Sequence, residues 1–121
     1  MKSCLLVDDS RVIRRVARGI IENLSFTCSE AEDGNRALAA CAEAMPDAIL
    51  LGWTLPGLSG VETLKAIRAM PGGDRPKIVL CTTSSEIGDI MQALEEGADE
   101  CVVKPFDDGI IRSKFEQVGL I

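Results

Sequence analysis

The chain predicts an α/β fold built on a five-stranded parallel sheet with helices on both faces. Three observations carry this. Five short apolar runs alternate with segments of helical periodicity, the connections between them are short, and each run stops abruptly at polar residues. Regular alternation of this kind requires right-handed crossovers, which place helices on both sides of the sheet in a doubly wound arrangement. With 121 residues, the chain is long enough for one domain with a real core and too short for two.

The first strand is expected over residues 3–7, where Cys4, Leu5, Leu6 and Val7 run directly into Asp8, Asp9 and Ser10. An unbroken apolar run of this length is a strand buried on both faces. Ser10 is a suitable N-cap for a helix whose inward face is read as Ile13, Val16, Ala17, Ile20 and Leu24, with Arg11, Arg14, Arg15 and Arg18 on the other side. That basic stripe could dock an acidic partner, but in a chain this acidic a solvated helix face is the better reading. Residues 26–31 suit a second strand. Glu32 to Asn35 form a turn into a helix of small residues that Met45-Pro46 stops. The third strand is expected over residues 47–51. It leaves through Gly52, Trp53, Thr54, Leu55, Pro56 and Gly57, and Val61, Leu64 and Ile67 then mark a helix closed by Pro71-Gly72-Gly73. Residues 77–81 form the fourth strand, which runs into the hydroxyls Thr82, Thr83, Ser84 and Ser85. Ser84 or Ser85 can cap a helix with Ile87, Ile90, Met91 and Leu94 inward and Gly97 at its end. The fifth strand, residues 101–103, ends at Lys104-Pro105-Phe106. Asp107 or Asp108 starts a last helix with Ile111, Phe115 and Val118 inward.

Composition narrows the function. There is no His and no Tyr, which excludes a His base or ligand and most hydrolase and zinc chemistry. A net charge of -6 argues against a nucleic-acid or anionic membrane surface and makes proteins the expected partners. No basic-then-apolar leader and no membrane-length apolar run is present, so a cytoplasmic location is expected. The five cysteines, an odd count without a CxxC pair, read as reduced core residues.

Parallel strands bring their carboxyl ends to one edge of the sheet, where ligands bind in such folds. That edge collects Asp8 and Asp9, the hydroxyls Thr82 and Thr83, and the Lys104 ammonium. Two carboxylates with a hydroxyl and an ammonium suit a phosphoryl group held with a hard cation such as Mg²⁺. An evident nucleophile is missing. Taken singly, each feature has a plainer reading: a solvated Asp-Asp turn, a β-branched strand Thr, a Lys snorkelling from a strand end. Their coincidence at one edge is what sets these aside.

Asp8-Asp9, Thr82 and Lys104-Pro105-Phe106, with Pro56-Gly57 and Gly60 after the third strand, resemble the receiver domain of two-component response regulators in its CheY-like single-domain form. The resemblance covers residues 1–121. It implies the strand order 2-1-3-4-5, a phosphorelay role, and transfer of a phosphoryl group from a sensor kinase's phosphohistidine to an aspartate at the end of the third strand. Carried onto this sequence, Asp8, Asp9 and the backbone carbonyl of Thr54 would hold Mg²⁺, Thr82 would be the switch hydroxyl, and Lys104 the phosphate-binding ammonium with a cis bond to Pro105. Partners would be a sensor histidine kinase or phosphotransfer protein and a downstream target such as a flagellar motor or a kinase. The docking face would lie on the fourth helix, fifth strand and last helix, with Ile87, Ile90, Cys101 and Arg112 as candidates.

This chain departs from that pattern at the acceptor. Where the family has its phosphorylated aspartate the sequence reads Gly52, and Cys101 stands where the family usually has an aromatic. The covalent step as the family performs it is therefore not available, and with one carboxylate fewer, weaker Mg²⁺ binding is expected. Three accounts of Gly52 stand open: an introduced substitution in a phosphorylatable parent, a native pseudo-receiver, or acceptance by a neighbouring hydroxyl, Thr54, Thr83 or Ser84. The last lacks a general base to activate the hydroxyl. Two other functional classes share these features. A small Mg²⁺-dependent phosphatase or phosphotransferase also places paired aspartates after a parallel strand. A nucleotide-binding flavodoxin-like protein would need a glycine-rich loop after the first strand, and none is present.

Overall fold

In a computed structural model, residues 1–83 and 87–121 are described. Their elements alternate strictly: β1 (Ser3–Val7), α1 (Arg11–Glu22), β2 (Thr27–Ala31), α2 (Gly34–Glu43), β3 (Ala48–Gly52), α3 (Gly60–Ala69), β4 (Lys77–Thr82), α4 (Ile87–Glu95), β5 (Glu100–Val103) and α5 (Asp108–Gln117). The strands form one parallel sheet in the order β2-β1-β3-β4-β5. In this register Val7 lies beside Ala31 and Leu51, and Gly52 beside Cys81, so the carboxyl ends of the central strands share one edge.

The all-apolar strands are buried on both faces because successive side chains point to opposite sides. Leu6, Leu50 and Val79 face one core with Ala17, Ile20 and Ile21 of α1 and Ile111 and Phe115 of α5. Leu5, Val7, Ile49 and Leu51 face the other, closed by Ala37 and Cys41 of α2, Leu64 and Ile67 of α3, and Ala93 of α4. Aromatics are scarce, and the pair Phe26–Phe115 meets edge to face at 5.4 Å. All five cysteines are free thiols; Cys4, Cys41 and Cys81 are buried, while Cys28 and Cys101 are partly exposed.

The expected caps form on α1, where the Ser10 hydroxyl accepts from Ile13 N, and on α5, where Asp107, not Asp108, accepts from Ile110 N. The Ser84 or Ser85 cap of α4 and the hydroxyl of Ser84 fall outside the described residues, as does the side chain of Ile87. Two inward faces differ from expectation. Val16 is 48% exposed and Ile21 takes its place inside, because the α1 seam runs through Ala17, Ile20 and Ile21 and leaves Val16 at its margin. On α4, Met91 is 68% exposed and Leu94 also points outward, whereas Ala93 is fully buried against the cluster of Ile78 and Leu80. That helix lays its small side on the sheet, a close approach that Met or Leu at position 93 would block.

Candidate functional site

Asp8 leaves β1 with its side chain 7% exposed, and both carboxylate oxygens are engaged: Oδ1 accepts from Ser10 N at 2.9 Å and Oδ2 from Lys104 Nζ at 2.7 Å. A carboxylate this buried needs such partners. Lys104 is delivered by β5, whose end is pinned where Lys104 N donates to Thr82 O at 2.7 Å, and the Lys104-Pro105 bond is cis. Thr82 is 1% exposed, and its hydroxyl is a buried side-chain oxygen without a hydrogen-bond partner among the described residues. Asp9 is exposed at the rim of a neighbouring cleft, and Thr83 is exposed just beyond β4.

Gly52 is buried at the end of β3. A Cβ built there would lie 3.2 Å from Asp8 Oδ2, 3.2 Å from Val7 O and 3.5 Å from Leu55 Cδ2, so position 52 looks directly at the Asp8 carboxylate. Trp53 N donates to Cys81 O at 3.0 Å, which carries the chain out of the sheet, and exposed Thr54 follows. The loop folds back through Gly60 N to Trp53 O at 2.9 Å. A Cβ on Gly60 would meet that carbonyl oxygen at 2.5 Å, so glycine is required there. The return is fixed by a capping box, with Ser59 Oγ accepting from Glu62 N and Glu62 Oε1 from Ser59 N.

The structure thus gathers Asp8, Gly52, Thr82 and Lys104 at one edge, with Asp9 at its rim. It also adds a residue that sequence reasoning did not assign to the pocket. Arg14 Nη1 donates to the Asp8 backbone carbonyl at 2.6 Å, and Arg14 Nε to Glu30 Oε1 at 2.9 Å. The signal was a basic stripe starting one helical turn behind the acid pair. Lys104 thus pairs with the Asp8 carboxylate, while Arg14 ties the Asp8 backbone to Glu30 of β2.

A hard cation asks for several oxygen donors, carboxylates foremost. Asp8, Asp9 and the Thr54 carbonyl are donors of the right type but few in number, and Asp8 already holds an ammonium. No group of three His, Cys, Asp or Glu side chains that could hold a metal occurs among the described residues. Nor does a thiol replace the missing nucleophile. Cys81, beside Gly52, is almost wholly buried, and desolvation pushes its thiol far up despite the nearby Lys104. At the expected docking face, Ile90 and Cys101 are half-buried and Arg112 is exposed, with Met91, Leu94 and Ile110 adding apolar surface.

An open parallel sheet with paired acids, a buried hydroxyl and a lysine at its carboxyl edge defines a doubly wound α/β domain with its polar groups where such folds bind ligands. Within that class, the family model of the response regulator receiver domain matches residues 4–116, and the chain belongs to this family. It is 30% identical to the chemotaxis protein CheY of Pseudomonas aeruginosa over 115 residues, 94% of this chain and 93% of that protein. It is 36% identical to the phosphate regulon transcriptional regulatory protein PhoB of the same organism, of whose length it spans 46%. Among solved structures, Vibrio cholerae CheY4 superposes with a TM-score of 0.91 at 28% identity over 98% of both chains. The receiver domain of the Pseudomonas aeruginosa sensor histidine kinase PA1611 does so with a TM-score of 0.86, also at 28% identity and 98% coverage of each chain. That structure carries a magnesium ion coordinated in its active-site cleft.

Proposed function

We propose that this chain is a receiver, one domain over residues 1–121, that signals through protein contacts without a covalent phosphoryl switch at position 52. One observation carries the reading: the end of β3, facing the Asp8 carboxylate that Lys104 binds, presents Gly52 and no carboxylate. A glycine offers no nucleophile, and the buried Cys81 thiol beside it stays protonated.

In this reading Lys104 neutralises Asp8 directly. Mg²⁺, which Asp8, Asp9 and the Thr54 carbonyl would hold, binds more weakly than in a receiver with a third carboxylate. Thr82 and Lys104 keep the positions of the phosphate-contacting pair, with Thr83 beside them. Partners would be a histidine kinase or phosphotransfer protein and a downstream target protein, the latter meeting Ile90, Cys101 and Arg112. The work is done by binding rather than turnover, because a phosphatase or phosphotransferase would need Asp8 as nucleophile, and Asp8 is tied at both oxygens.

Intact mass after incubation with Mg²⁺ and a small phosphodonor tests this, with the chain beside its Gly52→Asp variant. The variant alone gains a phosphoryl mass, which also identifies the pocket as a receiver site lacking only its acceptor. A phosphoryl mass on the unaltered chain would make a hydroxyl such as Thr54, Thr83 or Ser84 the acceptor and overturn the reading.

A further inference from the structure

A charged cleft opens between α1 and the end of β2, beside the edge that holds Asp8. Its volume of ≈ 650 Å³ lies in the range of small-molecule sites. The walls carry the guanidinium groups of Arg11, Arg14, Arg15 and Arg18, and an adjoining hollow of ≈ 230 Å³ adds Arg36 beyond Glu32. So dense a positive patch runs against the chain's net charge of -6.

The acids of the cleft do not cancel it. Glu30 is taken by Arg14 at 2.9 Å and Arg18 at 2.8 Å, and Glu32 pairs with Arg36 at 3.1 Å. Arg14 and Arg18 are anchored further on the carbonyl oxygens of Asp8 and Cys28, which holds both guanidinium groups in place. Asp9 stands at the rim. Arg11 and Arg15 have no hydrogen-bond or ion-pair partner among the described residues. They lie one turn apart at the start of α1, where like charges repel and the helix dipole favours an anion over a cation, and the first turn carries no acidic residue. An anion held by both groups would reverse the sign of each of these effects.

A second observation narrows the ligand. Arg11 and Arg15 also line a neighbouring groove of ≈ 460 Å³, whose remaining walls are Val12 and Val16. These valines are 70% and 48% exposed. The charged cleft and the aliphatic groove therefore meet at two guanidinium groups. A guanidinium both forks onto phosphate oxygens and stacks on a flat ring.

We infer that this cleft binds a nucleoside di- or triphosphate, with its phosphates held by Arg11 and Arg15 and its base lying on Val12 and Val16. Arg14 and Arg18, fixed by Glu30, form the back wall. An inorganic anion would occupy the charged part alone and leave the valines in water. Binding there depends on neither Gly52 nor Lys104.

The test is isothermal titration calorimetry of the full chain at low salt, with ATP, inorganic pyrophosphate and adenosine as probes. ATP binds one to one, pyrophosphate binds more weakly, and adenosine does not bind. Arg11→Gln with Arg15→Gln lowers the affinity for ATP and for pyrophosphate by about tenfold or more, the loss expected for charge-assisted hydrogen bonds. Val12→Ser with Val16→Ser weakens ATP binding by about threefold or more and leaves pyrophosphate binding unchanged. All four positions are exposed, so circular dichroism of both variants should match the parent. Absence of ATP binding overturns the inference, as does ATP binding that survives the arginine substitutions. Equal binding of ATP and pyrophosphate, with no response to the valine pair, marks a plain anion site and overturns it too. Tighter binding of a single-stranded oligonucleotide or of anionic vesicles, with the same arginine dependence, overturns it by assigning the surface to a polymer or a membrane.

Discussion

Lys104 Nζ lies 2.7 Å from Oδ2 of the buried Asp8 carboxylate, and this contact sets the energetics of the pocket. Removing one partner of a buried pair leaves the other charge uncompensated. Lys104→Met is expected to lower unfolding free energy by about 3 kcal/mol, and adding Asp8→Asn should recover much of that loss. Urea denaturation of the single and double variants measures both; a near-neutral Lys104→Met would show that Asp8 is not held by the lysine. Asp8, Thr82 and Lys104 were legible in the sequence because each ends an apolar run, and parallel topology then places them together. Arg14 was not, because its bonds to the Asp8 carbonyl and to Glu30 depend on where β2 lies, and no local pattern encodes that.

At the scale of elements, α1 is fastened to β2 through Glu30, whose carboxyl is held below the usual glutamate range, chiefly by its hydrogen bond from Arg18 and further by Arg14. A carboxyl whose value is depressed on folding contributes stability that is present above its unfolded value of about 4.3 and is lost as pH falls through the folded value. Glu30→Gln should therefore flatten the acid limb of the stability–pH curve and leave its dependence near neutrality unchanged, as thermal melts across that range would record. The capping box at α3 holds the loop that follows Gly52. Ser59→Ala is expected to cost about 1 kcal/mol, measured by the same unfolding, without changing the fold. The existence and order of every described helix and strand could be read from periodicity. The inward faces of α1 and α4 could not be read fully, because hydrophobicity alone favours Val16, Met91 and Leu94, whereas the packing chose Ile21 and Ala93.

Over the whole molecule, the ends of β1, β3, β4 and β5 bring Asp8, Gly52, Thr82 and Lys104 to one edge of the sheet, with no carboxylate at position 52. Alternation of strands and helices gave the parallel, doubly wound class directly, but the order β2-β1-β3-β4-β5 rests on pairings between distant segments and entered only through family resemblance. The departure at Gly52 likewise showed only against the family pattern, whereas Asp8, Thr82 and Lys104 followed from the strand ends. Lys104, rather than a divalent cation, is the partner of the Asp8 carboxylate. Trp53, partly buried between Gly52 and Thr54, is the sole tryptophan and reports on this site. The most direct measurement follows Trp53 emission while Mg²⁺ is added through the millimolar range to the chain and to its Gly52→Asp variant. A saturating change is expected for the variant, with its third carboxylate, and an almost flat trace for the unaltered chain. Saturation of both at similar Mg²⁺ concentrations would contradict it.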